Sequence, residues 1–391
     1  MAKSPLNSAF ISTLLPKIVH FGQNSYTFLK ELFGVMSDQI KAVSWLLIKL
    51  IEKILKQIDN FVDYLATHPI FDFLEIRYKK ASNKIGELKT GTEKRYAIIQ
   101  QSLPYKKAVL YAQLTRVDKP IGILLLLWPT LIALWIAAEG FPDPLVLLVF
   151  VFGVILMRSA GCAINDYADR DIDGKVKRTT QRPLVAGTIT PKEALIVFAT
   201  LSLLAFTLVL FMNTLTVIMS FIGVLLAVSY PFMKRYHYLP QVHLGAAFGW
   251  SAPMAYAAQA NEVTAITWLI FLATILWATA YDTMYAMVDY DDDIKIGVKS
   301  TAILFGNQDK LIIAAIQALL IFDLILIGHR AELSGFYYLG VAAATLFAIY
   351  QQYLIKDRKR EKCFQAFLNN NWFGMVLFIG VLLDYQFATA I

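Results

Sequence analysis

From residue 121 onward the chain is a succession of long apolar runs separated by short loops. Few folds accept that pattern. A helix needs about 17–25 mostly apolar residues to cross a bilayer, and there it must satisfy its own backbone hydrogen bonds. Roughly nine such runs are read, at 121–138, 145–164, 193–211, 215–232, 240–258, 265–288, 311–328, 335–355 and 372–389. The expected fold is therefore all-α, a polytopic membrane protein of about nine transmembrane helices. Composition agrees: 57% of the residues are hydrophobic and only 17% charged, against about 25% charged in a typical soluble domain. The net charge of +7 would suit nucleic acid, but the basic residues lie in the short loops between apolar runs, so no nucleic-acid partner is expected; the lipid bilayer is. Cys162 and Cys363 are too few and too far apart for a disulfide framework or a metal motif.

Loop charge sets the orientation. Arg116 and Lys119 precede the first run, and Lys and Arg residues follow the second, fourth, sixth and eighth, whereas the alternate loops EGFPDP, MNTLT, QANEVT and HRAELS carry only Arg330. By the positive-inside rule the basic loops face the cytoplasm. Residues 1–30 lack the basic start, apolar core and cleavage site of a signal peptide, so insertion is expected to begin at the first true span.

Residues 1–100 read differently from 101–391. Val43, Leu47, Ile51, Ile54, Leu55, Ile58 and Val62 form one apolar stripe, interrupted by Lys and Glu too often to span a membrane. An amphipathic helix fits, lying on a membrane surface or packed on other helices. The polar stretch KKASNKIGELKTGTEKR (79–95) reads as a linker, so the block is an N-terminal extension or a fusion partner. It carries no catalytic constellation.

Two acidic clusters carry the chemistry. In NDYADRDID (165–173), Asn165, Asp169 and Asp173 recur every fourth residue and stack on one face if the stretch is helical. In YDTMYAMVDYDDD (281–293), Asp282, Tyr285 and Asp289 share a face, and Asp289 and Asp293 repeat the four-residue step. Ionised carboxylates this close repel one another and need a cation. Hard oxygen donors next to basic loops suit Mg2+ bound through one or two carboxylates plus a substrate phosphate. Lys177, Arg178, Arg182, Lys234 and Arg235 satisfy the topology rule singly and as a set suit phosphate oxygens. Arg158 lies inside the second run and needs an anionic partner.

From about Tyr111 to the end the sequence resembles the UbiA superfamily of membrane aromatic prenyltransferases, and within it the 4-hydroxybenzoate polyprenyltransferases of ubiquinone biosynthesis. The resemblance rests on TRVDKPIG (115–122), LLLLWPT (124–130), NDYADRDIDGKVKRT (165–179), RPL (182–184), YPFMKR (230–235) and YDTMYAMVDYDDDIKIGVKSTAILFG (281–306). It implies helices around a central cavity open sideways to the bilayer, in a bacterial inner membrane. It also implies Mg2+ held by Asn165, Asp169, Asp173, Asp289 and Asp293, and Arg170 and Arg235 on a diphosphate or a benzoate carboxylate. The implied substrates are a polyprenyl diphosphate and 4-hydroxybenzoate. Asp166, Asp282 and Tyr285 are candidates to position the phenol or take its ring proton. Tyr230, Trp250, Trp277 and Tyr281 are candidates to face an allylic cation, each also explained by packing. Other acceptors, a naphthoate, a haem or a chlorin, stay open, and a cation transporter is the rival from another class.

Overall fold

A computed structural model describes residues 103–176 and 178–388. The reading of residues 1–100 and of Lys177 lies outside the described residues. Among these the chain is helical throughout, with no strand. A short helix, α1 (Leu103–Thr115), leads into α2 (Ile121–Ala137). The next helix, α3 (Pro144–Asp173), begins where the Asp143 carboxylate accepts the backbone N–H groups of Leu145 and Val146 and Pro144 occupies the first turn. A Thr190/Glu193 capping box opens α4 (Pro191–Val209). Asn213 caps α5 (Thr214–Ser229) and donates its amide to the carbonyls of Ala257 and Ala258, so one side chain starts a helix and ties down the end of another. A 3₁₀ turn, Tyr230–Arg235, follows.

The fifth apolar run is two helices, α6 (Pro240–Gly249) and α7 (Ser251–Ala260), with Trp250 between them. Pro253 is one cause, since it has no N–H to return to the preceding turn. Close packing of α6 on the next long helix, α8 (Ala265–Ile296), depends on small residues: a Cβ at Gly245 would stand 3.0 Å from the Ile275 carbonyl, and one at Gly249 3.2 Å from the Phe271 ring. The chain then makes a short α9 (Thr301–Phe305), α10 (Asp309–Arg330), α11 (Gly335–Ile355) and α12 (Arg360–Phe387). Gly340 and Gly380 let α11 and α12 touch backbone to backbone.

Among the described residues, seven segments are long and apolar enough to cross a membrane. Of the nine runs read from sequence, the two not among them are α2, which has 17 residues, and the broken α6–α7 pair. Leu203, Phe211, Leu225 and Leu346 point outward and are each at least half exposed, which suits a hydrocarbon solvent. This is an integral membrane protein.

Polar side chains inside the bundle pair across helices. Gln317 of α10 donates to Gln351 of α11, which donates to Asn369 of α12, at 2.8 and 3.1 Å. The next two asparagines hold indoles: Trp277 of α8 donates to Asn370 at 2.8 Å, and Trp128 of α2 to Asn371 at 3.1 Å. Three consecutive residues of one helix turn by about 100° each, so they reach three different neighbours.

The two longest helices overrun the bilayer furthest. At about 1.5 Å per residue the 30 residues of α3 and the 32 of α8 span well over 40 Å, against a hydrocarbon core of about 30 Å. Their excess is where the acidic clusters fall.

Candidate active site at the charged end of the bundle

Because α3 stays helical to Asp173, its four-residue repeat does stack Asn165, Asp169 and Asp173 on one face, as expected. Asp169 is 3% exposed. One of its oxygens, Oδ2, accepts from Lys234 Nζ at 2.5 Å and from Asn165 Nδ2 at 3.1 Å. Its other oxygen, Oδ1, is buried with no hydrogen-bond partner. Asp173 pairs with Arg182, which also reaches Asp166 at 3.1 Å. Asp166, off to the side of the ladder and 2% exposed, is held a second time by Arg116 at 2.7 Å.

Lys234 lies between the two clusters, and Arg178 ties the second one to the loop after α3. Arg178, on the loop after α3, grips Asp289 of α8 through two nitrogens at 2.6 and 3.3 Å and lies 4.7 Å over the Tyr285 ring. Lys234, on the 3₁₀ turn after α5, pairs with Asp169 and also acts electrostatically on Asp282 and Asp293. Burial works against the Arg178 charge, but Tyr285 and Asp289 more than offset it and raise its pKa above the ordinary value. Arg116 behaves alike: burial opposes its charge, and Cys162, Asp166, Tyr285 and Tyr230 together push its pKa up.

Asp282 makes no hydrogen bond or ion pair among the described residues, yet it lies in the field of Arg158, Arg178, Lys234 and Asp289. Arg158 is unusual for a guanidinium inside a span. One nitrogen donates to Cys162 Sγ at 2.8 Å, the group stands 5.3 Å over the Phe248 ring, and its Nε is buried without a partner. Gly122 makes room for it, since a side chain there would collide with the guanidinium.

The structure places several flanking residues outside the cluster. Arg170 is exposed, donates to the Tyr167 carbonyl at 2.8 Å and covers the Tyr167 ring, so it points away from the cluster. Arg235 is exposed as well and donates to the Ala168 carbonyl, bracing the 3₁₀ turn against α3. Asp292 turns to Arg360 at 3.4 Å. Arg116, conversely, counts in the sequence only as a topology charge. Nothing local distinguishes it from Lys119, and only the fold carries it to Asp166, 50 residues on.

Among the described residues no three His, Cys, Asp or Glu side chains converge closely enough to hold one metal by themselves. That does not argue against Mg2+, which takes one or two carboxylates and completes its shell with phosphate and water oxygens. The partnerless buried Asp169 Oδ1, beside the amide of Asn165 and the carboxyl of Asp173, is a hard-oxygen donor set of that kind. The residues fit a divalent cation that arrives with an anionic substrate.

Residues 126–378 match the UbiA prenyltransferase family. The chain is 60% identical to a 4-hydroxybenzoate octaprenyltransferase of Aeromonas hydrophila, over 72% of this chain and 99% of that protein. It is 59% identical to one from Alkalilimnicola ehrlichii, over 71% and 95%. Among solved structures, the apo form of a UbiA homolog from Aeropyrum pernix K1 superposes with a TM-score of 0.61 at 26% identity, covering 67% of this chain and 97% of that one. A UbiA homolog from Archaeoglobus fulgidus, bound to GPP and Mg2+, superposes with a TM-score of 0.54 at 17% identity, over 70% and 99%, a likeness of fold.

Proposed function

The chain belongs to the UbiA prenyltransferase family, and on that premise we propose that it transfers a polyprenyl group from polyprenyl diphosphate to the ring carbon ortho to the hydroxyl of 4-hydroxybenzoate. The observation that carries this reading is the convergence of both acidic helix ends, with Lys234 between them and Arg178 on the second, at the mouth of an apolar bundle. An anionic head and a hydrocarbon tail fit that combination. The bundle sits in a bacterial inner membrane with its charged end toward the cytoplasm, in line with the basic loops.

Asn165, Asp169 and Asp173 from α3 and Asp289 and Asp293 from α8 would hold Mg2+. When bound, it supplies Lewis-acid stabilisation of the charge gathering on the departing diphosphate. Arg178, Arg182 and Lys234 are placed to take diphosphate oxygens, exchanging their present carboxylate partners for phosphate. Arg116 and Asp166 hold Arg182 in position.

The allylic C–O bond breaks with its electron pair leaving on the diphosphate. The ring carbon ortho to the hydroxyl forms the new C–C bond, and the ring proton passes to a base. Asp282 suits that role, because it has no hydrogen bond or ion pair to give up and it lies in the field of Arg158. Arg158, with its partnerless Nε, receives the acceptor's carboxylate, which also explains why an Arg is tolerated within the span. Tyr285 supports Arg178 from below. The apolar walls keep water from the cation.

Prenyl transfer from a radiolabelled polyprenyl diphosphate to 4-hydroxybenzoate, in membranes with Mg2+ or EDTA, tests the reading. Mg2+-dependent product is expected from the wild type and not from Asp169→Ala. Absence of product from inserted, folded wild type with any aromatic acceptor would overturn it.

A further inference from the structure

The end of α8 carries four acids in five residues, Asp289, Asp291, Asp292 and Asp293, of which the metal site takes two. At about 100° per residue, Asp293 returns to within about 40° of Asp289, Asp291 points to the far side of the helix, and Asp292 stands about 60° from Asp289 in the other direction. Asp292 is thus close enough to disturb the pair, and it already acts electrostatically on Asp293. It is also buried, 8% exposed, where an ionised carboxylate needs a partner.

That partner comes from the start of α12. Arg360 reaches Asp292 at 3.4 Å and Asp291 at 3.3 Å. Two residues earlier, Arg358 lies 5.0 Å over the Tyr290 ring. One short connection therefore touches Tyr290, Asp291 and Asp292, the three residues between Asp289 and Asp293. The connection is itself anchored. Arg358 donates through two nitrogens to the fully buried Asp309, at 2.6 and 2.9 Å, and to the Gly306 carbonyl, while Lys310 Nζ donates to the Lys356 carbonyl at 3.0 Å. Arg358 stands at φ 53°, a left-handed backbone that a residue with a side chain keeps where its contacts fix it. The topology rule explains basic residues in this loop, but it would leave Arg360 in water rather than aimed at a buried acid.

We infer that Arg360 is a positioning residue for the second acidic cluster, pairing Asp291 and Asp292 so that Asp289 and Asp293 are the carboxylates α8 turns toward the metal and the diphosphate. Without it, an unpaired Asp292 must swing to water or to the cation, and either movement rotates Asp289 and Asp293 out of place. This rests on the prenyl-transfer reading above. The sign of the effect sets it apart from plain electrostatics: removing a positive charge near a cation site would by itself tighten cation binding.

The test uses Arg360→Gln, Asp292→Asn and the double variant, purified in detergent. Binding of Mn2+, which takes the same hard oxygen ligands, is titrated by electron paramagnetic resonance in the presence of inorganic diphosphate. The Mg2+ concentration for half-maximal prenyl transfer is measured beside it. In Arg360→Gln both should weaken about threefold or more, the scale of a partly exposed ion pair. Asp292→Asn alone should stay near the wild type, and in the double variant it should restore binding, because the acid that needed Arg360 is gone. Unchanged or tighter binding in Arg360→Gln overturns the positioning role. So does weakening that Asp292→Asn fails to rescue, which marks general damage to the fold. Should Arg360→Gln not fold, Arg360→Lys, which keeps the charge but loses the fork that spans two acids, carries the test, and wild-type binding there overturns the role. Wild type that binds Mn2+ with diphosphate yet transfers no prenyl group counts against the function, whereas normal wild-type transfer with unweakened Arg360→Gln counts against the positioning role alone.

Discussion

Arg178 holds Asp289 through two nitrogens, at 2.6 and 3.3 Å, and so closes the charged end of the bundle across 111 residues of sequence. A planar fork meeting a carboxylate sets direction as well as charge. On the prenyl-transfer reading, the fork that holds Asp289 would turn to an entering diphosphate.

Because the two side chains work as a unit, their losses should not add. Arg178→Ala and Asp289→Asn are each expected to lower kcat/KM for the prenyl diphosphate about 10–100-fold, the range for groups that orient metal-binding side chains. The double variant should fall little below the weaker single one. Fully multiplicative losses in this cycle would show that the pair is incidental.

Arg158 should separate the two substrates. Arg158→Met should raise KM for 4-hydroxybenzoate about 10–100-fold, the worth of a hydrogen bond to a charged group, and leave KM for the prenyl diphosphate unchanged. Steady-state kinetics with each substrate varied in turn distinguishes these. A rise confined to the diphosphate would move Arg158 to the other half of the site.

Asp169 should set the metal requirement. Chelation with EDTA is expected to stop transfer by the wild type and added Mg2+ to restore it. In Asp169→Asn the Mg2+ concentration for half-maximal rate should climb about tenfold or more. A Mg2+ titration identical to that of the wild type would remove Asp169 from the metal site.

One prediction concerns stability alone. Asp384 of α12 is 3% exposed and receives the backbone N–H groups of Ser334 and Tyr337, each at 2.9 Å, so it caps the start of α11 from a neighbouring helix. Asp384→Ala leaves those donors buried and unpaired, at about 1–3 kcal/mol. Thermal unfolding in detergent should show a lower Tm with Mg2+ dependence of the folded fraction's activity unchanged. An unaltered Tm would mean water takes over the cap.

What was legible in the sequence was whatever repeats locally. The apolar runs announced helices and a bilayer, because hydrophobic length and period act within one segment. The four-residue spacing of Asn165, Asp169 and Asp173 announced one acidic face, because helix geometry alone places i and i+4 together. The basic loops put both acidic clusters on one side of the membrane. Pairings were not legible. Arg116 and Lys119 look alike in sequence, and so do Arg170 and Arg182. Tertiary structure alone turns Arg116 and Arg182 inward onto Asp166 and leaves Arg170 lying on Tyr167 at the surface. The break at Trp250 and the pinning of Trp277 by Asn370 also depend on segments far apart along the chain. A charge or an indole finds its partner through the packing of whole helices, and that packing is decided by shape over the entire bundle, which no local period encodes.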